Sequence, residues 1–280
     1  MTPADPAVPE LPGLERGEEP QRVSIERRDH ILVITIDRVD KRNAADRAML
    51  RQLSRAYEVF DRDPELRVAV VRAAGDHFTG GLDLDDILPT MQQHLDEGPA
   101  FLLDKVDPFL ITGEGVTKPV IVAVQGYCLT WGLELLLAAD IAIASDDTVF
   151  GQVEVTRGMM PFGGATIRLP QRAGWGNAMR WLLTGDTFDA AEAYRIGVVQ
   201  QVVPAGTHFD RALELAGRIA AQAPLAVQAT LLNASVAVKD GTEAAAAALA
   251  PALSRLLATQ DLQRGMRAFR DRSGAEFSGR

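Results

Sequence analysis

The chain has 280 residues, enough for one large or two ordinary domains. Its 47% hydrophobic and 24% charged content excludes disorder over the whole length, because there is ample apolar surface to offset the entropy of ordering. With 29 Lys and Arg against 38 Asp and Glu, the formal charge of −9 argues against a nucleic-acid binder, which needs a basic face to displace counterions.

Residues 1–21 carry Pro3, Pro6, Pro9, Pro12 and Pro20 among Asp5, Glu10, Glu15, Glu18 and Glu19. That composition lacks the basic start and apolar run of a secretory signal, and residues 1–22 are expected to form a disordered leader. After it, residues 23–25 and 31–36 read as strands joined at Arg28-Asp29-His30. Across residues 46–62, Met49, Leu50, Leu53, Tyr57 and Phe60 recur on one helical face. Residues 68–71, 120–124 and 141–143 are short apolar runs suited to strands buried on both faces. Between the first two lies a long polar and acidic stretch, residues 83–118, of a length often associated with function.

Helical patterns follow at residues 165–172, 178–183 and 190–195, with a further strand at 199–203. From Phe209 onward the pattern is helix after helix, and Phe209, Leu213, Ala216 and Ile219 mark an amphipathic face. The expectation is an α/β body over residues 23–205 and a helical region over 206–280. Periodicity alone fits a doubly wound sheet equally well.

Cys128 is the only cysteine and has no internal disulfide partner, which suits a reducing compartment and a small core residue. His30, His77, His94 and His208 are scattered without metal-ligand spacing, so no metal is expected. The most apolar stretch, residues 119–144, is interrupted by Gln125, Glu134 and Asp140, which a bilayer would tolerate poorly. A cytoplasmic protein without membrane or nucleic-acid partners is expected.

Three segments are suited to chemistry. Gly80-Gly81 follows the strand at 68–71, and such a pair is either a plain turn or a cradle of backbone amides for a phosphate or oxyanion. Gly126-Tyr127-Cys128-Leu129-Thr130-Trp131-Gly132-Leu133-Glu134 follows a second buried strand and opens a helix, where first-turn N–H groups are unpaired. Glu134 sits about one turn in among apolar neighbours, so it must be paired, neutral or open to a cavity. Glu154, in Phe150-Gly151-Gln152-Val153-Glu154, is either a strand-edge charge or a second carboxylate for acid–base work.

These segments resemble the crotonase (enoyl-CoA hydratase/isomerase) family. The resemblance is carried by Asp40-Lys41-Arg42-Asn43-Ala44, Phe78-Thr79-Gly80-Gly81-Leu82-Asp83-Leu84, residues 118–127, Gly132-x-Glu134, Ala139-Asp140-Ile141-Ala142-Ile143-Ala144, Phe150-Gly151-Gln152-x-Glu154, Leu183-Thr184-Gly185 and Gly265-Met266-Arg267-Ala268-Phe269. It runs in order over about residues 23–279. It implies a crotonase-like spiral of ββα units with a C-terminal helical region, assembled as homotrimers or hexamers. It further implies an acyl-CoA substrate, with CoA entering only as part of the thioester and no separate cofactor.

By position, the resemblance makes the N–H groups of Leu82 and Trp131 the oxyanion donors. Glu134 becomes the activator of water and Glu154 the proton donor of an enoyl-CoA hydratase. Lys41, Arg42, Ala44, Asp83, Phe269 and Arg272 are the expected CoA contacts. Trp131 and Phe162 stand where most members of the family have glycine, and two rings in one pocket would narrow the acyl site or displace water. That leaves isomerisation, C–C hydrolysis or acyl-CoA binding without catalysis as alternatives.

Overall fold

The computed structural model describes residues 19–93, 102–111 and 115–280; most of the expected leader and His94 lie outside these. Strands β1 (Val23–Arg28) and β2 (Ile31–Ile36) form an antiparallel hairpin turned at Asp29, whose φ is 52°. Helix α1 (Arg47–Arg62) starts where the Asp46 carboxylate accepts the Met49 N–H at 2.9 Å. Its expected face of Met49, Leu50, Leu53, Tyr57 and Phe60 is buried.

Strand β3 (Val68–Ala73) then pairs parallel with β2, and α2 (Leu84–Gln93) follows. The next unit runs β4 (Val120–Val124), β5 (Tyr127–Leu129) and α3 (Trp131–Ala138). The unit after it runs β6 (Ile141–Ser145), β7 (Val149–Gly151), a 3₁₀ turn at Glu154–Arg157 and α4 (Ala165–Ala173). Helix α5 (Trp175–Thr184), β8 (Thr187–Asp189), α6 (Ala190–Arg195) and β9 (Gln201–Val203) complete the body.

The long strands form a six-stranded sheet ordered β1-β2-β3-β4-β6-β9, parallel beyond the first pair. Strand order never reverses, so there is no topological switch point and the doubly wound alternative fails. The three-residue strands β5, β7 and β8 make a second sheet. The repeated order of long strand, short strand and helix is the ββα spiral expected of a crotonase fold. The step from β4 to β5 needs glycine: Gly126 has φ 53°, and a Cβ there would lie 2.1 Å from the Asp76 carbonyl oxygen.

One core lies between the sheets and α1, α3 and α4, with Phe60, Phe78, Phe150 and Leu133 fully enclosed. Full burial of each such side chain stabilises the fold by about 1.5–3 kcal/mol. Cys128 is buried there, and desolvation pushes its thiol up, as suits a packing residue.

On the other sheet face sits α7 (His208–Ala220), whose Ala212, Ala216 and Ala220 let it approach Val68, Val70, Ile121 and Ile143. Phe209, Leu213 and Ile219 flank that contact. Helices α8 (Pro224–Lys239) and α9 (Thr242–Leu257) pack on each other, and α10 (Gln260–Asp271) ends the helical region. Deep burial in α8 and α9 is confined to Pro224 and Ala245. No helix among the described residues is long and apolar enough to cross a membrane.

Candidate active site

The loop after β3 is fixed to the segment before α1. Gly80 N–H donates to the Arg42 carbonyl at 2.8 Å, Ala45 N–H to Gly81 at 2.9 Å and Asp83 N–H to Ala45 at 2.9 Å. Leu82 therefore pairs with Ala45 in parallel register, and its own N–H faces away from that ladder. Asn43 holds the base of the loop, its Nδ2 donating to the carbonyls of Ala74 and His77, both at 2.8 Å.

The second loop is strained. Thr130, a β-branched residue, sits at φ 50°, ψ −119°, where only glycine is comfortable. Three bonds hold it: its N–H donates to Gly151 at 2.8 Å, and its carbonyl accepts Gln152 Nε2 at 3.0 Å and Glu134 N–H at 3.1 Å. The twist starts α3 at Trp131, whose N–H is free of any intrahelical partner. Among the described residues, neither the Leu82 nor the Trp131 N–H donates to another group. The Trp131 indole is buried and donates Nε1–H to the Gly81 carbonyl at 2.8 Å.

Leu82, Trp131, Glu134 and Glu154 line one cavity of about 40 Å³. Phe162 lines it too, so both aromatic replacements flagged in the sequence face the site. One oxygen of Glu134 accepts the N–H groups of Gly163 at 2.8 Å and Ala165 at 3.1 Å. Burial still dominates and raises its pKa to about 7, against those two bonds and the charge of Arg168. Glu154 is also raised to about 7, first by burial and further by repulsion from Glu134, while its own N–H and Arg157 oppose. Its Oε2 is buried and has no partner among the described residues. Two carboxyl groups lining one apolar hollow, each poised near neutrality, are suited to one acting as acid while the other acts as base.

The remaining expected residues divide. Lys41 and Arg42 are exposed beside Gly80, with Ala44 half-buried, so the structure brings them to the first loop. Asp83 is engaged by Arg38, its carboxylate 2.8 Å from Nη2. Phe269 and Arg272 on and after α10 are exposed, and neither lines the cavity that Glu134 and Glu154 share.

Sequence reasoning did not single out Asp107, Phe109 and Ile111, which line the cavity from within the acidic stretch, or Arg168, which braces them from α4. Asp107 accepts the N–H groups of Phe109 at 2.7 Å and Ile111 at 2.6 Å. Arg168 Nη2 donates to the Leu110 carbonyl at 2.9 Å, and burial lowers its pKa against the pull of Asp107. The signal available was the apolar run 106–111 with one acid inside it, amid otherwise polar sequence.

A family model described as enoyl-CoA hydratase/isomerase matches residues 26–280. The chain belongs to that family. A crystal structure of a probable enoyl-CoA hydratase/isomerase from Mycobacterium abscessus is 48% identical with a TM-score of 0.88, covering 92% of this chain and 99% of that one. Enoyl-CoA hydratase EchA19 of Mycobacterium tuberculosis is 36% identical over 207 residues, 74% of this chain and 77% of that protein. The 2,3-dehydroadipyl-CoA hydratase of Escherichia coli is 31% identical over 257 residues, 91% of this chain and 98% of that protein. Membership of the enoyl-CoA hydratase/isomerase family accounts for the ββα spiral and gives the shared cavity its chemical context.

Proposed function

We propose that the protein is an enoyl-CoA hydratase that adds water to a 2-enoyl-CoA to give a 3-hydroxyacyl-CoA. The observation that carries this is the convergence of Glu134 and Glu154 on the cavity that Leu82 and Trp131 also line. The thioester carbonyl accepts the Leu82 and Trp131 N–H groups, which are fixed before the reaction and strengthen as charge moves onto the oxygen. Glu134, ionised, removes a proton from water as its oxygen bonds to Cβ. The Cα=Cβ electron pair passes into an enolate. Glu154, protonated, then delivers its proton to Cα, and the enolate collapses to the thioester. Proton transfer from Glu134 to Glu154 restores the starting state.

Mutual repulsion supports this division, because it favours a pair carrying one proton near neutral pH. Lys41 and Arg42 are proposed to meet the CoA phosphates at the rim of the first loop. Phe269 and Arg272, exposed on and just after α10, are proposed as further CoA contacts. A homotrimer, or a hexamer of two trimers, belongs to the same reading, supported by the apolar side chains of Leu249, Leu253, Leu257 and Phe269 left exposed on α9 and α10. So does a cytoplasmic location with no cofactor beyond the CoA of the substrate.

The test is hydration of crotonyl-CoA by the wild type and by Glu134→Gln and Glu154→Gln. Each substitution is expected to lower kcat by about 10²–10⁴. Turnover unchanged by both would overturn the mechanism. Isomerisation of a 3-enoyl-CoA needs only one carboxylate, and incorporation of solvent oxygen into the product separates the two reactions.

A further inference from the structure

Two cavities lie one behind the other along the same helix faces. The catalytic one takes Leu50 from α1 and Trp131 from α3, and a larger one, of about 660 Å³, takes Tyr57 and Ala138. Tyr57 is seven residues beyond Leu50, and Ala138 seven beyond Trp131. Seven residues are two turns, which returns to the same face about 10 Å further along the axis.

The strip 107–111 runs between the cavities. Asp107, Phe109 and Ile111 line the catalytic side, while Pro108 and Leu110 line the other. It is a wall one residue thick, held by the Asp107 carboxylate on two backbone N–H groups and by Arg168 on the Leu110 carbonyl. The Phe109 ring meets the Trp131 indole edge to face, with centroids 6.4 Å apart.

We infer that Phe109 is the residue that sets acyl-chain length: the wild-type enzyme takes short acyl groups that end at this ring, and the larger cavity admits the chain only when the ring is removed. At about 40 Å³ against about 660 Å³, the cavity on the Phe109 side is much the smaller, with room for a few water-sized groups of the order of a short acyl chain. The cavity behind the wall has the size of an ordinary ligand pocket. The fixed bonds at both ends of the strip hold the ring in place. The inference rests on acyl-CoA as the ligand of the catalytic cavity, and not on the hydration step.

The test measures calorimetric binding of butyryl-, octanoyl- and dodecanoyl-CoA to the full chain. These saturated thioesters cannot react, so a failure of hydration and a failure of this inference are read separately. The wild type is expected to bind butyryl-CoA at least tenfold more tightly than dodecanoyl-CoA. Phe109→Ala should shift that ratio at least tenfold toward the long chain, and Phe109→Leu, which keeps an apolar side chain in the wall, should shift it less in the same direction. Leu232→Ala, which widens only the rear cavity, should leave the wild-type ratio unchanged. Equal wild-type affinity for short and long chains would overturn the inference. So would both Phe109 variants weakening all three ligands alike, or Leu232→Ala reproducing the effect of Phe109→Ala.

Discussion

The indole of Trp131 donates to the carbonyl of Gly81 at 2.8 Å, so the side chain of one N–H donor residue holds the loop that presents the other. A glycine at this position would supply the backbone donor and no such tie. Here the residue lines the cavity and its ring cross-links the two loops. A buried hydrogen bond contributes about 1 kcal/mol, and an oxyanion site depends on where its donors stand before the reaction. Trp131→Phe keeps ring packing against Phe78 and Phe109 but loses the bond. Its expected effect is a fall in kcat of about tenfold with KM changed little. Steady-state kinetics on crotonyl-CoA check this, and an unchanged kcat would show the tie to be dispensable.

Glu134 places a stability cost on the native state at high pH. Its pKa is raised to about 7 by burial, from an ordinary value of 4.5. Between those values the native state holds a proton that the unfolded chain has released, so stability falls as pH rises through that window. Glu134→Gln keeps an oxygen for the N–H groups of Gly163 and Ala165 and removes the charge. Its melting temperature should exceed the wild type's at pH 8 and converge with it near pH 4, although activity is lost. A variant less stable than wild type at pH 8 would contradict the burial argument.

The parts of this fold that were legible are those where local pattern and tertiary environment agree. The runs at 31–36 and 120–124 match their strands residue for residue because strands buried on both faces are continuous in apolar character. The second sheet was not legible, since three-residue strands such as Tyr127–Leu129 and Thr187–Asp189 are too short to show a period. Helix α5 begins at Trp175, three residues before the expected start, because Gly176 reads as a breaker yet is tolerated on an exposed turn. Glu134 and Glu154 were recognisable as carboxylates in apolar settings. That Phe109 and Arg168 join them is a matter of three-dimensional convergence, and where the indole of Trp131 points is a matter of rotamer.

Thr130 carries strain that glycine would relieve. At φ 50°, ψ −119° a non-glycine residue costs of order 1–3 kcal/mol. Thr130→Ala leaves that cost in place, while Thr130→Gly removes it and adds only the smaller entropy of a freer unfolded chain. The glycine variant should therefore melt at a higher temperature than the alanine variant. Thermal unfolding of the two side by side decides this, and the reverse order would mean the backbone there is not strained.

Gly163 seats the Glu134 carboxylate through the absence of a side chain. A Cβ at this position would stand 2.5 Å from Glu134 Oε2 and 2.9 Å from its Cδ, closer than atoms tolerate. Its N–H is also one of the two that hold the other carboxylate oxygen. The backbone at Gly163 is not in the left-handed region, so alanine there meets no conformational barrier of its own. The conflict is with Glu134 alone. In Gly163→Ala the carboxylate must move, and the cavity that both residues line is the open space beside it. A displacement of about 1 Å at a reacting group can cost 10²-fold in rate. The expected result is kcat for crotonyl-CoA hydration down by about that factor, with a near-wild-type circular dichroism spectrum. The same substitution in a Glu134→Gln background should cost far less, because the carboxylate it displaces is no longer there to act as a base. Equal losses in the two backgrounds would mean that Gly163 acts through the loop and not through Glu134.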